Sequence, residues 1–351
     1  MEKLLKERNL PPFLSREEML EILQREVYGY MPPKPDNVVF SSAYIEKKFR
    51  MGPNFCAGKA SYRRIMITSQ FGCKSFSFPI SVVIPTTDGP HPFFVHINFR
   101  PDVPDRYMPT EEIVDNGFAV ISFNYEDITM DDSSFDTGLA ALLFPDGTRA
   151  PHDCGKLAMW AWAAQRAMDY ADTLEELNKD YAIVCGHSRN GKAALLAGAT
   201  DDRFKFVYSN GSGCGGASIT RQKRGERVAD ICRNFPAWFC ESYKSYAGKE
   251  EEMPFDQHFL AALIAPRYLA MGSDDDGPLS DAVADMLTCV AVSRVYEDMG
   301  KPGFIFDGNK PKDGCVWHEG TVGYHVRKGL HCFDRYDWNM LMSFVKKHMK
   351  S

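Results

Sequence analysis

The sequence predicts an α/β fold: a doubly wound, mostly parallel sheet with antiparallel edge strands, sandwiched in three αβα layers. Three observations lead there. Residues 61–70 and 75–84 are strand-like stretches, and Phe71-Gly72-Cys73-Lys74 between them has the make-up of a hairpin turn. From residue 156 onward, helix-like and strand-like segments alternate, which is the signature of βαβ units. Within that half, Tyr181-Ala182-Ile183-Val184-Cys185 is a short, wholly apolar run, as expected of a strand covered on both faces of a parallel sheet.

Each element has its own signal. Ser15-Arg16-Glu17-Glu18 has capping-box spacing, and Met19, Leu20, Ile22, Leu23 and Val27 follow it at helical intervals. Gly29-Tyr30-Met31-Pro32-Pro33 breaks the pattern, so an N-terminal helical segment is expected at about 1–33. Further strands are expected at 93–98 and 119–125, then a helix rich in Ala, Trp and Met at 156–171. Helices at 192–199, 282–299 and 336–349 alternate with strands at 204–208, 267–271 and 303–306. Neither an internal repeat nor a low-complexity linker interrupts the chain, so residues 1–351 are expected to form a single domain.

Composition narrows the function classes. The net charge of −6 gives no electrostatic reason to bind a polyanion, and the longest basic cluster, Arg221-Gln222-Lys223-Arg224, reads as a solvated loop face. A nucleic-acid partner is therefore not expected. No window approaches the roughly 20 apolar residues of a membrane span, so no membrane partner is expected either. The first eight residues are charged throughout and lack the apolar core of a signal peptide. The ten cysteines form no CxxC pair, and Cys185, Cys240 and Cys289 sit in apolar runs like small hydrophobes. Both features point to the cytoplasm, although a secreted chain trimmed of its signal would read the same way.

The strongest chemical signal follows the apolar strand. Gly186-His187-Ser188-Arg189-Asn190-Gly191-Lys192 lies between a strand and a helix, the setting of the nucleophile elbow of the α/β-hydrolase fold. The glycines permit a strained nucleophile and a close approach of strand and helix. Ser188 is the candidate nucleophile, and the Arg189 amide at the helix N-terminus is a candidate oxyanion donor. The spacing is G-x-S-x-x-G rather than G-x-S-x-G, so a Ser in an ordinary βα turn is the bland alternative. In this fold the chain order is Ser, acid, His. His331, in the loop before the last helix, fits the base, with His325 as its rival. The acid is sought in Gly272-Ser273-Asp274-Asp275-Asp276-Gly277, where position alone does not choose among three carboxylates.

Other motifs lead nowhere. Gly211-Ser212-Gly213-Cys214-Gly215-Gly216 matches G-x-G-x-x-G, but a basic run follows where an acidic strand end is required. His318-Glu319 opens a zinc motif whose second ligand is missing, since position 322 is Val. His91 and His96 read as structural. Asn210-Gly211-Ser212 is a glycosylation sequon with no consequence in a cytoplasmic protein. No metal or cofactor is expected.

Several blocks resemble carbohydrate esterase family 15, the glucuronoyl esterases, and especially its bacterial members. The family's elbow reads G-[CH]-S-R-x-G-K, which residues 186–192 match. Similar blocks run from Ser209 to Ala217, through Gly225-Glu226 and Asn234-Phe235-Pro236-Ala237-Trp238-Phe239-Cys240, to Pro254-Phe255-Asp256-Gln257-His258. The likeness continues at Ala262-Leu263-Ile264-Ala265-Pro266-Arg267 and from Gly323 to Trp338, while the first 150 residues resemble the family only loosely. The resemblance implies Ser188 as nucleophile, His331 as base and the Arg189 guanidinium as an oxyanion donor. It implies that Lys192 and Glu226 contact the hydroxyls of a uronate ring, one as a donor and the other as an acceptor. Many members carry the catalytic Glu where this chain has Gly211. Others use an acid two residues before a Trp, and ungapped alignment then selects Asp276, with Asp275 next. That Trp, which lines the sugar pocket in the family, is Pro278 here.

The expected function is therefore serine-dependent hydrolysis of a small carbohydrate ester, most simply a 4-O-methyl-glucuronoyl ester, through an acyl-enzyme. Two alternatives stand beside it: an acetyl-xylan or other short-chain acyl esterase with the same triad, and a non-catalytic carbohydrate-binding protein on the same scaffold.

Overall fold

Ten strands join in one sheet in the computed structural model, which describes residues 1–46, 56–274, 277 and 280–349. The antiparallel edge comprises β1 (Asn37–Glu46), β2 (Ala60–Phe71) and β3 (Lys74–Pro85). The β2–β3 hairpin is in register from Ala60↔Pro85 to Phe71↔Lys74, closed by the expected turn. β5 (Ala119–Asn124) pairs antiparallel with β3 and parallel with β4 (His91–Asn98). From β4 the sheet continues in parallel through β6 (Leu177–His187), β7 (Phe206–Asn210), β8 (Tyr268–Asp274) and β10 (Val322–Arg327). The two-residue β9 (Val316–Trp317) ends the sheet antiparallel to β10. This is the α/β-hydrolase arrangement, with an antiparallel edge on a parallel centre.

Pleating divides the core into two layers. Phe93, Val95, Ile97, Ala182 and Val184 face one side. That side is covered by α2 (Arg16–Leu23), α5 (Lys156–Asp172), α6 (Arg189–Thr200), α8 (His258–Ala262) and α9 (Ala282–Asp298). Phe94, Ile183 and Cys185 face the other, beneath α3 (Thr110–Asp115) and α10 (Arg335–His348). The expected capping box at Ser15 and Glu18 is present, and α2 passes into a wider π turn, Gln24–Tyr28, before Gly29. The short α1 (Glu2–Glu7), α4 (Gly138–Leu143) and α7 (Val228–Asn234) complete the helices.

Three expectations are corrected, and one strand was not anticipated. Residues 303–306 form no strand, only a single bridge from Phe304 to Val322; the strand there is β10, which starts nineteen residues later than expected. β1 carried no signal strong enough to be anticipated. β8 runs to Asp274 rather than stopping at Met271, which places Asp274 on a strand end rather than in a loop. The basic cluster is only half a solvated face: Gln222 and Arg224 are exposed, but Arg221 and Lys223 are buried. The Arg221 guanidinium pairs with buried Asp256 at 3.3 Å and donates to the Phe255 carbonyl at 3.0 Å. A buried carboxylate needs such a partner, and this loop supplies it. All ten cysteines are unpaired, and no helix among the described residues is long and apolar enough to cross a membrane.

Candidate active site

The parallel strands β6, β7, β8 and β10 are neighbours, so their carboxyl ends open onto one edge of the sheet, where ligands of such folds are bound. β6 delivers Ser188. The residue sits at φ 55°, ψ −124°, a conformation that is costly for any side chain other than glycine and is held here by its surroundings. The Ser188 amide donates to the Asn210 carbonyl at 2.8 Å, and the Ser188 carbonyl accepts from the Gly191 amide at 2.9 Å. Gly186 is required sterically, because a Cβ there would lie 2.3 Å from the Asn190 carbonyl oxygen. The helix α6 begins at Arg189, three residues earlier than expected, so its first amides, which have no acceptor within the helix, lie beside Ser188.

β10 leads to His331. Arg327, the last residue of that strand, donates from Nη2 to the carbonyls of Leu330 at 2.9 Å and Cys332 at 2.5 Å, pinning the loop on either side of His331. The His331 imidazole donates from Nδ1 to Asp274 Oδ2 at 3.2 Å. That contact assigns the tautomer and leaves Nε2 free to face a hydroxyl. The other Asp274 oxygen accepts from the Gly277 amide at 3.0 Å and the Ser280 hydroxyl at 2.6 Å. Burial pushes the Asp274 carboxyl up, but the hydrogen bonds from His331 and Ser280 outweigh it and hold it below its ordinary value. Asp276 and Asp275, the expected acids, lie outside the described residues, as does Pro278. Among the described residues, the carboxylate in contact with His331 is Asp274, brought there by the extension of β8.

His331 also packs on His187, with ring centroids 4.3 Å apart. The His187 ring donates from Nδ1 to Asn210 Oδ1 at 2.6 Å, and burial followed by proximity to His331 pushes its pKa down to about 3. It is a neutral packing surface for the His331 imidazole. A Cβ at Gly211 would lie 3.1 Å from His331 Nδ1, so the position where many relatives of the resembled family carry an acid does abut the imidazole. Here it is empty of any side chain, and the carboxylate arrives from the next strand. His325, the rival base, is buried elsewhere: it donates from Nε2 to Asp337 Oδ1 at 3.0 Å in a cluster with Arg327.

Ser188, His331 and Asp274 line a single cavity of about 310 Å³ together with Arg189, Lys192, Glu226, Phe235 and Trp238. Lys192 is buried, and its ammonium donates to the carbonyls of Ser212 and, at 2.7 Å, Cys214. The glycine-rich loop is thus a cup of carbonyls for this lysine. Burial lowers the Lys192 pKa, and the nearby Glu226 charge opposes that. The Arg189 guanidinium lies 4.6 Å from the Trp238 ring and pairs with Asp131. Phe235 stacks on Trp238 at 3.9 Å, forming an aromatic wall. Asp285, on α9, closes another side; its oxygens accept from the Ser273 hydroxyl at 2.6 Å and the Ser218 hydroxyl, and burial raises its pKa. Asp131, Asp285 and the aromatic wall were not anticipated. Trp238 lay inside a quoted block, but nothing in one sequence marks which aromatic residue faces a cavity. Among the described residues, no group of three or more His, Cys, Asp or Glu side chains is arranged to hold a metal ion.

Comparison with known proteins gives a consistent result. Residues 67–300 match the family model described as glucuronyl esterase, fungi. The chain is 35% identical over 241 residues to carbohydrate esterase MZ0003 from an unknown prokaryotic organism, covering 68% of this chain and 55% of that one. It is 31% identical over 264 residues to a 4-O-methyl-glucuronoyl methylesterase of Podospora anserina, covering 72% and 49%. The chain therefore spans about half the length of these two curated relatives. Its structure superposes on a glucuronoyl esterase from Solibacter usitatus with a TM-score of 0.84 and 32% identity, covering 94% of this chain and 91% of the other.

Proposed function

The chain belongs to the glucuronyl esterase family, and from that premise we propose that it hydrolyses the ester of a uronic acid through a serine acyl-enzyme. The observation that carries the proposal is the meeting of three strand ends in one cavity: Ser188 on a strained elbow, His331 with its tautomer fixed, and Asp274 behind it. In this reading His331 Nε2 takes the proton of the Ser188 hydroxyl as the oxygen attacks the ester carbonyl. The α6 N-terminal amides and the Arg189 guanidinium receive the developing oxyanion. His331 returns the proton to the departing alcohol, and water then releases the uronate by the same steps in reverse.

Lys192 and Glu226 give the cavity a donor-only and an acceptor-only group, a pair suited to orienting adjacent sugar hydroxyls. Phe235 and Trp238 offer apolar surface to the ring. The relatives' names support the uronate as substrate: two of them denote glucuronoyl esters.

The test compares benzyl glucuronate with 4-nitrophenyl acetate. The expected outcome is efficient turnover of the uronate ester, with KM raised and kcat less affected in Lys192→Ala. Rapid turnover of the acetate with none of the uronate ester would overturn the substrate and favour a short-chain acyl esterase using the same residues. No turnover of either would leave the scaffold as a binding protein.

A further inference from the structure

Asp131 lies outside the triad and every expected site residue, yet four groups converge on it. Its carboxylate accepts from Arg189 Nη1, from Trp238 Nε1 at 2.7 Å and from the Tyr125 hydroxyl at 3.1 Å. The fourth group holds its backbone. Lys156, on α5, is fully buried and donates from Nζ to the carbonyls on either side of Asp131, Met130 at 2.5 Å and Asp132 at 2.8 Å, and to Asp132 Oδ1 at 2.8 Å. A buried ammonium is costly unless every proton finds an acceptor, and here three do. The loop that carries Asp131 is thus fastened from below while its carboxylate is fixed from above.

The consequence falls on Arg189. A free arginine has many rotamers, but this one is held at one nitrogen by Asp131 and packed against the stacked pair of Trp238 and Phe235, 4.6 and 5.3 Å from their ring centres. Arg189 lines the cavity beside Ser188, and its side chain keeps 24% of its surface exposed. A cationic donor of fixed direction beside the nucleophile is what oxyanion stabilisation needs.

We infer that Asp131 is a positioning residue for the reaction: it sets the Arg189 guanidinium against the developing oxyanion, with Tyr125, Trp238 and Lys156 fixing Asp131 in turn. This rests on the reading of Arg189 as an oxyanion donor. A purely structural Asp131 would lower stability without regard to Arg189. A positioning Asp131 acts only while Arg189 is there.

The experiment is a double-mutant cycle in kcat and KM on benzyl glucuronate, with wild type, Asp131→Asn, Arg189→Ala and the double variant. Removing an oxyanion donor costs roughly a hundred- to a thousand-fold in kcat, which is the expectation for Arg189→Ala. Asp131→Asn is expected to lower kcat at least tenfold, leave KM within about twofold, and cost nothing further in the Arg189→Ala background. An unchanged or raised kcat in Asp131→Asn, or an equal fall in both backgrounds, would overturn the inference. Should Asp131→Asn fail to fold, Tyr125→Phe removes one donor from the same carboxylate and is read in the same cycle by the same criteria. If the wild type hydrolyses 4-nitrophenyl acetate and not the uronate ester, the substrate proposal fails alone, and the cycle on the acetate still decides the role of Asp131.

Discussion

Asp274 has both carboxylate oxygens engaged, one by His331 and the other by Gly277 and Ser280. A carboxylate so held can fix an imidazole tautomer through a catalytic cycle without rotating. Asp274→Ala is expected to lower kcat on benzyl glucuronate by roughly a hundred- to ten-thousand-fold, and to do so more than Asp276→Ala. The reverse ranking in steady-state assays would return the acid to Asp276. This residue also marks the limit of what the sequence discloses. Ser188 and His331 were legible because the elbow has a steric grammar and the chain order of the fold is fixed. Three consecutive aspartates have the same chemistry, and the contact of Asp274 with His331 depends on how far β8 runs, which the sequence does not disclose.

At the scale of elements, Arg327 joins the loop that carries His331 to the sheet. Its Nε donates to buried Asp337 on α10 at 2.7 Å, while its Nη2 holds the two carbonyls flanking His331. Arg327→Ala leaves Asp337 buried with only His325 and the helix-start amide of Asp334 as partners, a loss expected to cost about 3–5 kcal/mol in thermal unfolding. It also frees the loop, so kcat measured well below the melting temperature should fall at least tenfold. A variant that keeps full kcat would show that the loop holds His331 without this tie. β10 itself was hidden in the sequence because its residues mix apolar side chains with His325 and Arg327. Those two are buried only because Asp337 meets them from a helix ten or more residues on, a long-range pairing that local pattern does not record.

Across the whole molecule, burial of histidines sets the response to acid. His96, His187 and His318 are each pushed down to about 3, chiefly by burial, from an ordinary value of 6.5. Between those limits the unfolded chain binds protons that the folded chain refuses. The stability they contribute is therefore fully present above pH 6.5 and is lost as pH falls toward 3. Asp274, held below its ordinary 3.8, adds a loss only beneath that value. The melting temperature is expected to decline steadily from pH 7 to pH 4, and less steeply in His318→Gln, which lies away from the cavity. A flat profile over that range would contradict the burial of these rings. The same global order explains how the site is assembled. The parallel registers of β6, β7, β8 and β10 bring residues far apart in the chain to one edge. That much followed from strand–helix alternation in the sequence. The walls of the cavity did not, since Phe235, Trp238 and Asp285 come from a loop and a helix whose placement depends on the finished core.

The central claim is that Ser188 is the nucleophile of this cavity, activated by His331. An alkyl fluorophosphonate tests it most directly, with the modified peptide mapped by mass spectrometry and hydrolysis of benzyl glucuronate followed in parallel. The account predicts one label per chain, on Ser188, with activity lost in proportion to labelling and labelling slowed sharply in His331→Ala. A label on another residue, or full activity in a protein labelled at Ser188, would contradict it.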